Sequence, residues 1–224
     1  MRRTILQPLI NKETTNKQFL LQRKMFTSDT SLEEKVTLEK LVDFCKRLQR
    51  SYQQIRTLTI TERSNVDKTL AKVSRYELLL NSPAQTTPCY AEQQVEQIRI
   101  ECLHEINNRL IASGELIHQM VNDNHDLLRS YRELEQAAQR LSWPGTGCSL
   151  IAGNAKRKPL EHYLQEGFRI TYQLNGFVVR IKLVFSAVDV RQVNSIRKFR
   201  DGLKLPEELD LYLREFLAYA VFVG

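Results

Sequence analysis

The stretch LHEINNRLIASGELIHQMVNDNHDLLRSYRELEQAAQRL, residues 103–141, decides how this chain folds. With position a of a heptad at Leu103, the a positions read Leu103, Leu110, Ile117, Asn124, Tyr131 and Ala138. The d positions read Ile106, Ser113, Met120, Leu127, Leu134 and Leu141. Ten of these twelve are apolar or aromatic. That is the narrow stripe two helices share, not the wide face of a helix lying on a globular core. The surrounding proline-free run, 91–142, would reach roughly 75 Å as a helix at about 1.5 Å per residue. An oily ribbon that long is expected to need partner helices over most of its length. Two polar groups interrupt the seam. Asn124 at an a position would set register and partner number at some cost in stability, and Ser113-Gly114 marks a bend.

Upstream, residues 1–29 read as a flexible basic arm, with Phe19-Leu20-Leu21 as a short docking segment. Residues 30–82 read as two helices. Thr30 and Glu33 form a capping box at the start of the first. Leu38, Cys45 and Tyr52 at a, with Leu41, Leu48 and Ile55 at d, give it a seam. The pattern fades at Thr57-Leu58-Thr59, where β-branched residues weaken helix preference. A second helix then carries Val66, Leu70, Val73 and Leu80, and 83–90, with Pro83 and Pro88, is a linker. These helices either fold back on 91–142 or join helices of other subunits; a mixture of the two is favoured, since neither short helix is stable alone.

Downstream, residues 143–159 form a Gly/Pro/basic linker opened by Trp143-Pro144-Gly145 and ending in Lys156-Arg157-Lys158-Pro159. Residues 160–224 read as a small α+β head. Phe168, Ile170, Tyr172 and Leu174 alternate with polar residues; Asn175-Gly176 is a two-residue turn; Phe177, Val179, Ile181, Leu183 and Phe185 alternate again. This predicts a β-hairpin whose apolar members share one face. Val193, Ile196 and Phe199 have helical spacing. Leu205-Pro206-Glu207-Glu208 starts a terminal helix that would pack across the hairpin. The fold class is therefore mainly α: long coiled-coil helices followed by a small α+β head.

The formal net charge of +7 is unevenly placed. Residues 31–143 are balanced, while 1–30 and 144–224 carry the excess of Lys and Arg. Lys156, Arg157, Lys158, Arg180, Lys182, Arg197, Lys198 and Arg200 are a candidate basic contact surface. Cys45, Cys89, Cys102 and Cys148 form no CxxC pair, and His104, His118, His125 and His162 stand at no ligand spacing from them, so a metal site is not expected. Gly145-x-Gly147 with Lys156 lacks the spacing of a phosphate loop. No Ser/His/Asp or Cys/His arrangement and no paired carboxylates stand out, so neither an enzyme nor a cofactor is expected. No apolar run approaches the roughly 18 residues of a spanning helix, and the N-terminus does not read as a secretory signal.

In the order of its elements, coiled coil then small α+β head, the chain resembles the globular-headed subunits of kinetochore complexes. The likeness is one of layout and carries no site residues. The expected function is a non-catalytic structural subunit of a hetero-oligomeric coiled-coil complex. Its partners would be other coiled-coil subunits, a hetero-oligomer being favoured over a homo-oligomer. They would be gripped along Leu103, Ile106, Leu110, Ile117, Met120, Asn124, Leu127, Tyr131, Leu134 and Leu141, with the basic head docking a further component. The setting suggested by layout is chromosome segregation or microtubule organisation, in the cytoplasm or nucleus. Two alternatives stay open: a nucleic-acid-binding adaptor using the basic head, and a membrane-surface tether using the basic arm.

Overall fold

The computed structural model describes residues 32–81, 92–141, 149–221 and 223. The basic arm, the capping box at Thr30, linker 83–90, Trp143-Pro144-Gly145, Cys89 and Cys148 lie outside the described residues. Helix α1 runs Leu32–Asn81 and α2 runs Glu92–Gln139. A single turn, α3, Ser149–Ala152, precedes α4, Leu160–Ser186. Two short helices follow, α5, Val193–Gly202, and α6, Glu207–Ala220.

The helices form an up-down-up-down bundle. α1 and α2 lie antiparallel, stitched in register by Lys40–Glu133, Glu62–Ser113, Lys72–Glu105 and Arg99 with the carbonyl of Leu79. α4 runs antiparallel to α2: the Tyr131 hydroxyl donates to the carbonyl of Leu164 and Asn124 donates to Asn175. α5 and α6 in series make the fourth position, antiparallel to α1. Arg200 bonds Asp67, and the Tyr52 hydroxyl donates to Asp210.

Two expectations are corrected here. First, the two helices expected within residues 30–82 are one over the described part: α1, Leu32–Asn81, of 50 residues. Its seam continues through the expected break as Ile55, Thr59, Glu62, Val66, Thr69, Val73 and Tyr76, all buried. Thr59 and Thr69 donate their hydroxyls to the carbonyls of Arg56 and Asn65, and so carry no unmet polar group into the core. Tertiary packing overrides their weak helix preference.

Second, the C-terminal β-hairpin, and with it the α+β head, does not exist. No strand occurs among the described residues. Residues 160–186 are one helix whose buried face reads Leu160, Tyr163, Gly167, Ile170, Leu174, Phe177 and Ile181. That spacing alternates three and four without a break, a heptad seam. The alternation that read as a strand is the by-product of apolar residues on the opposite side of the same helix. Gly167 does not open a strand. It sits in the helix because a Cβ there would lie 3.0 Å from Cε1 of Phe44 and 3.2 Å from Cε2 of Tyr131. The layout likeness to kinetochore subunits rested on the α+β head and falls with it.

Asn175-Gly176 is therefore helix interior, not a turn. Nothing lies within 4 Å of where a Cβ would be at Gly176. Gly176→Ala is expected to raise stability by about 1 kcal/mol, the usual helix-interior difference. A hairpin turn at this place would lose stability instead, so the sign of the change in a urea melt decides between the two.

The terminal helix starts where Pro206, Glu207 and Glu208 place it, and it buries Leu209, Leu213, Phe216 and Ala220. The core is continuous through the bundle.

Candidate functional site

The seam that sequence reading assigned to partner chains is closed inside this one. Ile106, Leu110, Ile117, Met120, Asn124, Leu127, Tyr131, Leu134 and Leu141 are all buried by α1 and α4 of the same chain, and Leu103 is half-buried. The length argument for partner helices no longer holds: the rod is covered by a neighbouring helix of almost its own length.

The two polar seam interruptions find partners within the chain as well. Ser113 donates to Glu62, itself a buried seam position of α1. Asn124 Nδ2 donates to Asn175 Oδ1 at 2.7 Å. Each pair rewards one register of one helix pair, the role a buried polar seam residue plays. Here the register is that of an intramolecular bundle. Buried Asn124 Oδ1 has no hydrogen-bond partner among the described residues.

Burial raises the carboxyl of Glu62 above its ordinary range, against the opposing hydrogen bonds from Ser113 and Asn65. The folded state therefore holds a proton at pH values where the unfolded chain has released it. The group costs stability as pH rises through its folded pKa, and the cost vanishes as pH falls toward the ordinary carboxylate range. Glu62→Gln is expected to melt higher than the natural chain at pH 8, with the gap closing toward pH 5. Parallel melting curves of the two proteins across that range check it.

The eight basic candidates do not form one surface. Lys156, Arg157 and Lys158 precede α4, whereas Arg197, Lys198 and Arg200 lie on α5 beside α1 residues 67–77. The 27 residues of α4 separate these groups by roughly 40 Å at about 1.5 Å per residue. Arg157 is buried and donates to the carbonyl of Ser149, closing the short loop that Gly153 (φ 74°) and the side chain of Asn154 shape. Lys158 sits 5.0 Å from the Tyr219 ring centroid, and Arg200 is bonded to Asp67. Arg180 and Lys182 lie on the second half of α4, whose Phe185 ring meets Phe199 of α5 at 5.1 Å, so they stand at the α5 end of the bundle and away from the 156–158 loop.

The feature sequence reading missed is on that same helix. Phe168, Tyr172, Val179 and Leu183 are 56, 68, 44 and 63 % exposed. Their spacing of four, seven and four places them within one narrow stripe of the helix, opposite the face that builds the core. The Phe168 ring stacks on Tyr172 at 6.0 Å and leans on Tyr131 at 6.2 Å, so the aromatic end is held in place. A helix apolar on both sides is ordinarily covered on both. This stripe was legible as apolar but not as exposed, because it was assigned to the core of a hairpin.

An open groove of about 200 Å³ lies between α1 and the α5–α6 turn, lined by Arg56, Ile60, Arg63, Leu203, Leu205 and Asp210 among others. Its carboxylates are already engaged, Asp210 with Tyr52 and Arg214, and Glu207 with Lys204. Cys45 and Cys102 are buried and unpaired by disulfide, and burial pushes the Cys45 thiol up to about 12. Among the described residues no group of three His, Cys, Asp or Glu side chains is placed to hold a metal ion, and no helix is long and apolar enough to cross a membrane.

No family model, no curated protein and no solved structure matches this chain.

Proposed function

We propose that this chain is a non-catalytic structural subunit that docks a helix of another protein along the outer face of α4. The observation that carries this reading is the stripe Phe168, Tyr172, Val179 and Leu183, left exposed by a bundle whose other long apolar seams are closed. Exposed apolar rows of this kind mark interaction surfaces, and a narrow row at heptad-like spacing suits one more helix. The reading keeps a helical partner but moves the contact from α2 to α4. The nucleic-acid alternative gains nothing from a basic set split between two ends of the bundle. A link to chromosomes or microtubules has no support once the layout likeness is gone.

The test is a photo-crosslinker, p-benzoylphenylalanine, in place of Tyr172 in the chain made in its native cells. The expected result is a covalent adduct with a segment of another protein. Adducts found only within this chain, or none, contradict the proposal.

A further inference from the structure

We infer that the helix docked on α4 is an acidic amphipathic one. This rests on the docking reading above and adds the chemistry of the occupant. Between His162 and Ser186 α4 carries one carboxylate, Glu166, which is half-buried, against three exposed cations, Arg169, Arg180 and Lys182. Arg169 and Arg180 flank one side of the stripe and Lys182 the other, by helical phase. Both arginines are held by ring contacts, Arg169 at 4.6 Å over Tyr212 and Arg180 at 5.4 Å over Phe177. On the α2 side Arg132, exposed, follows Tyr131, whose ring meets Phe168. Two acids stand near the stripe's aromatic end and both are engaged: Glu161, at the very start of α4, is bonded to Gln165, and half-buried Glu135 of α2 is hydrogen-bonded with Tyr131. The apolar row is thus flanked by cations on both sides.

That flanking selects among occupants. A second copy of the chain fits by spacing, since Phe168 would meet Leu183 and Tyr172 would meet Val179 across a two-fold axis. The same axis brings Arg169 and Arg180 of one copy against those of the other, and like charges across a helix interface oppose pairing. The chain's own residues 1–30 carry six Lys or Arg against two Asp or Glu and meet the same repulsion. An anionic lipid surface satisfies the charge but favours a broad apolar face with a deep anchor, whereas this row is one seam wide. A helix with apolar residues at a and d and Glu or Asp beside them satisfies both shape and charge.

The test titrates the full chain against two labelled three-heptad peptides, both with Leu at a and d, one flanked by Glu and the other by Lys. Phosphatidylcholine–phosphatidylserine vesicles and sedimentation of the chain alone run beside them. The Glu-flanked peptide should bind at least about tenfold tighter than the Lys-flanked one, with the gap shrinking in salt. Tyr172→Asp or Leu183→Asp, each confirmed folded by circular dichroism, should abolish binding, and Lys182→Glu should narrow the preference. Equal or tighter binding of the Lys-flanked peptide overturns the acidic partner and leaves helix docking standing. Binding of neither peptide, or binding indifferent to Tyr172→Asp and Leu183→Asp, overturns both. Vesicle binding or a dimer that these substitutions abolish, in place of peptide binding, assigns the face to lipid or to a second copy and likewise overturns the acidic helix.

Discussion

Leu134→Ala is expected to lower the unfolding free energy of the isolated chain by about 2–5 kcal/mol, the range for truncating a fully buried leucine. Leu134 is a d position of the α2 seam and is fully buried by this chain's own helices. Removing its isobutyl group forfeits the transfer free energy and leaves a void that close-packed neighbours fill only in part. A seam reserved for another polypeptide would behave differently. In the isolated chain it would already be wet, and trimming one leucine would change stability by a few tenths of a kcal/mol, as surface substitutions do. A urea melt of the purified chain, with the slope checked for constancy, separates the two.

Phe44→Ala is expected to cost about 3–5 kcal/mol. The ring is fully buried and meets Tyr131 of α2 edge-on, centroids 5.4 Å apart and planes at 64°. Its Cε1 also fills the space above Gly167 of α4, where a Cβ would stand 3.0 Å away. One side chain therefore joins three helices, and its loss loosens α4 from the α1–α2 pair. The same geometry predicts coupling. Gly167→Ala alone crowds Phe44, whereas in the Phe44→Ala background the added methyl enters the vacated space. The double variant should be more stable than the sum of the single effects by about 0.5–3 kcal/mol, the range for residues in contact. Additivity within error would mean that α4 does not lie on Phe44.

The elements were unevenly legible. α6 could be read because Pro206, Glu207 and Glu208 mark its start and an uninterrupted stripe follows. α2 could be read because ten of its twelve seam positions are oily. α1 looked broken because the β-branched residues around Thr57-Leu58-Thr59 weaken its helix signal, and beyond them Glu62 stands at a seam position where an apolar residue would be expected. Only the facing helix shows that Glu62 meets Ser113, so two apparent flaws are one contact. α4 misled because it is apolar on two sides. Its even spacing satisfies a strand, while Leu160, Tyr163, Gly167, Ile170, Leu174, Phe177 and Ile181 satisfy a heptad with a glycine in the middle. Asn175-Gly176 then supplied a turn signal that the helix absorbs, with Asn175 tied to Asn124. The docking stripe was beyond sequence reading for a related reason. Which of two apolar faces stays outside is settled by which one α1, α2, α5 and α6 cover, and that is a property of the assembled bundle.

Sedimentation equilibrium of the purified full chain carrying Tyr172→Asp tests the central point most directly, because that substitution removes the outer stripe and leaves the α2 seam intact. The account predicts a single folded species at the chain mass of 26.2 kDa at every loading concentration, melting at a temperature that does not move with concentration. A dimer or larger species, or a melting temperature that climbs with concentration, would mean that the Leu103–Leu141 seam is still seeking another chain, and would contradict it.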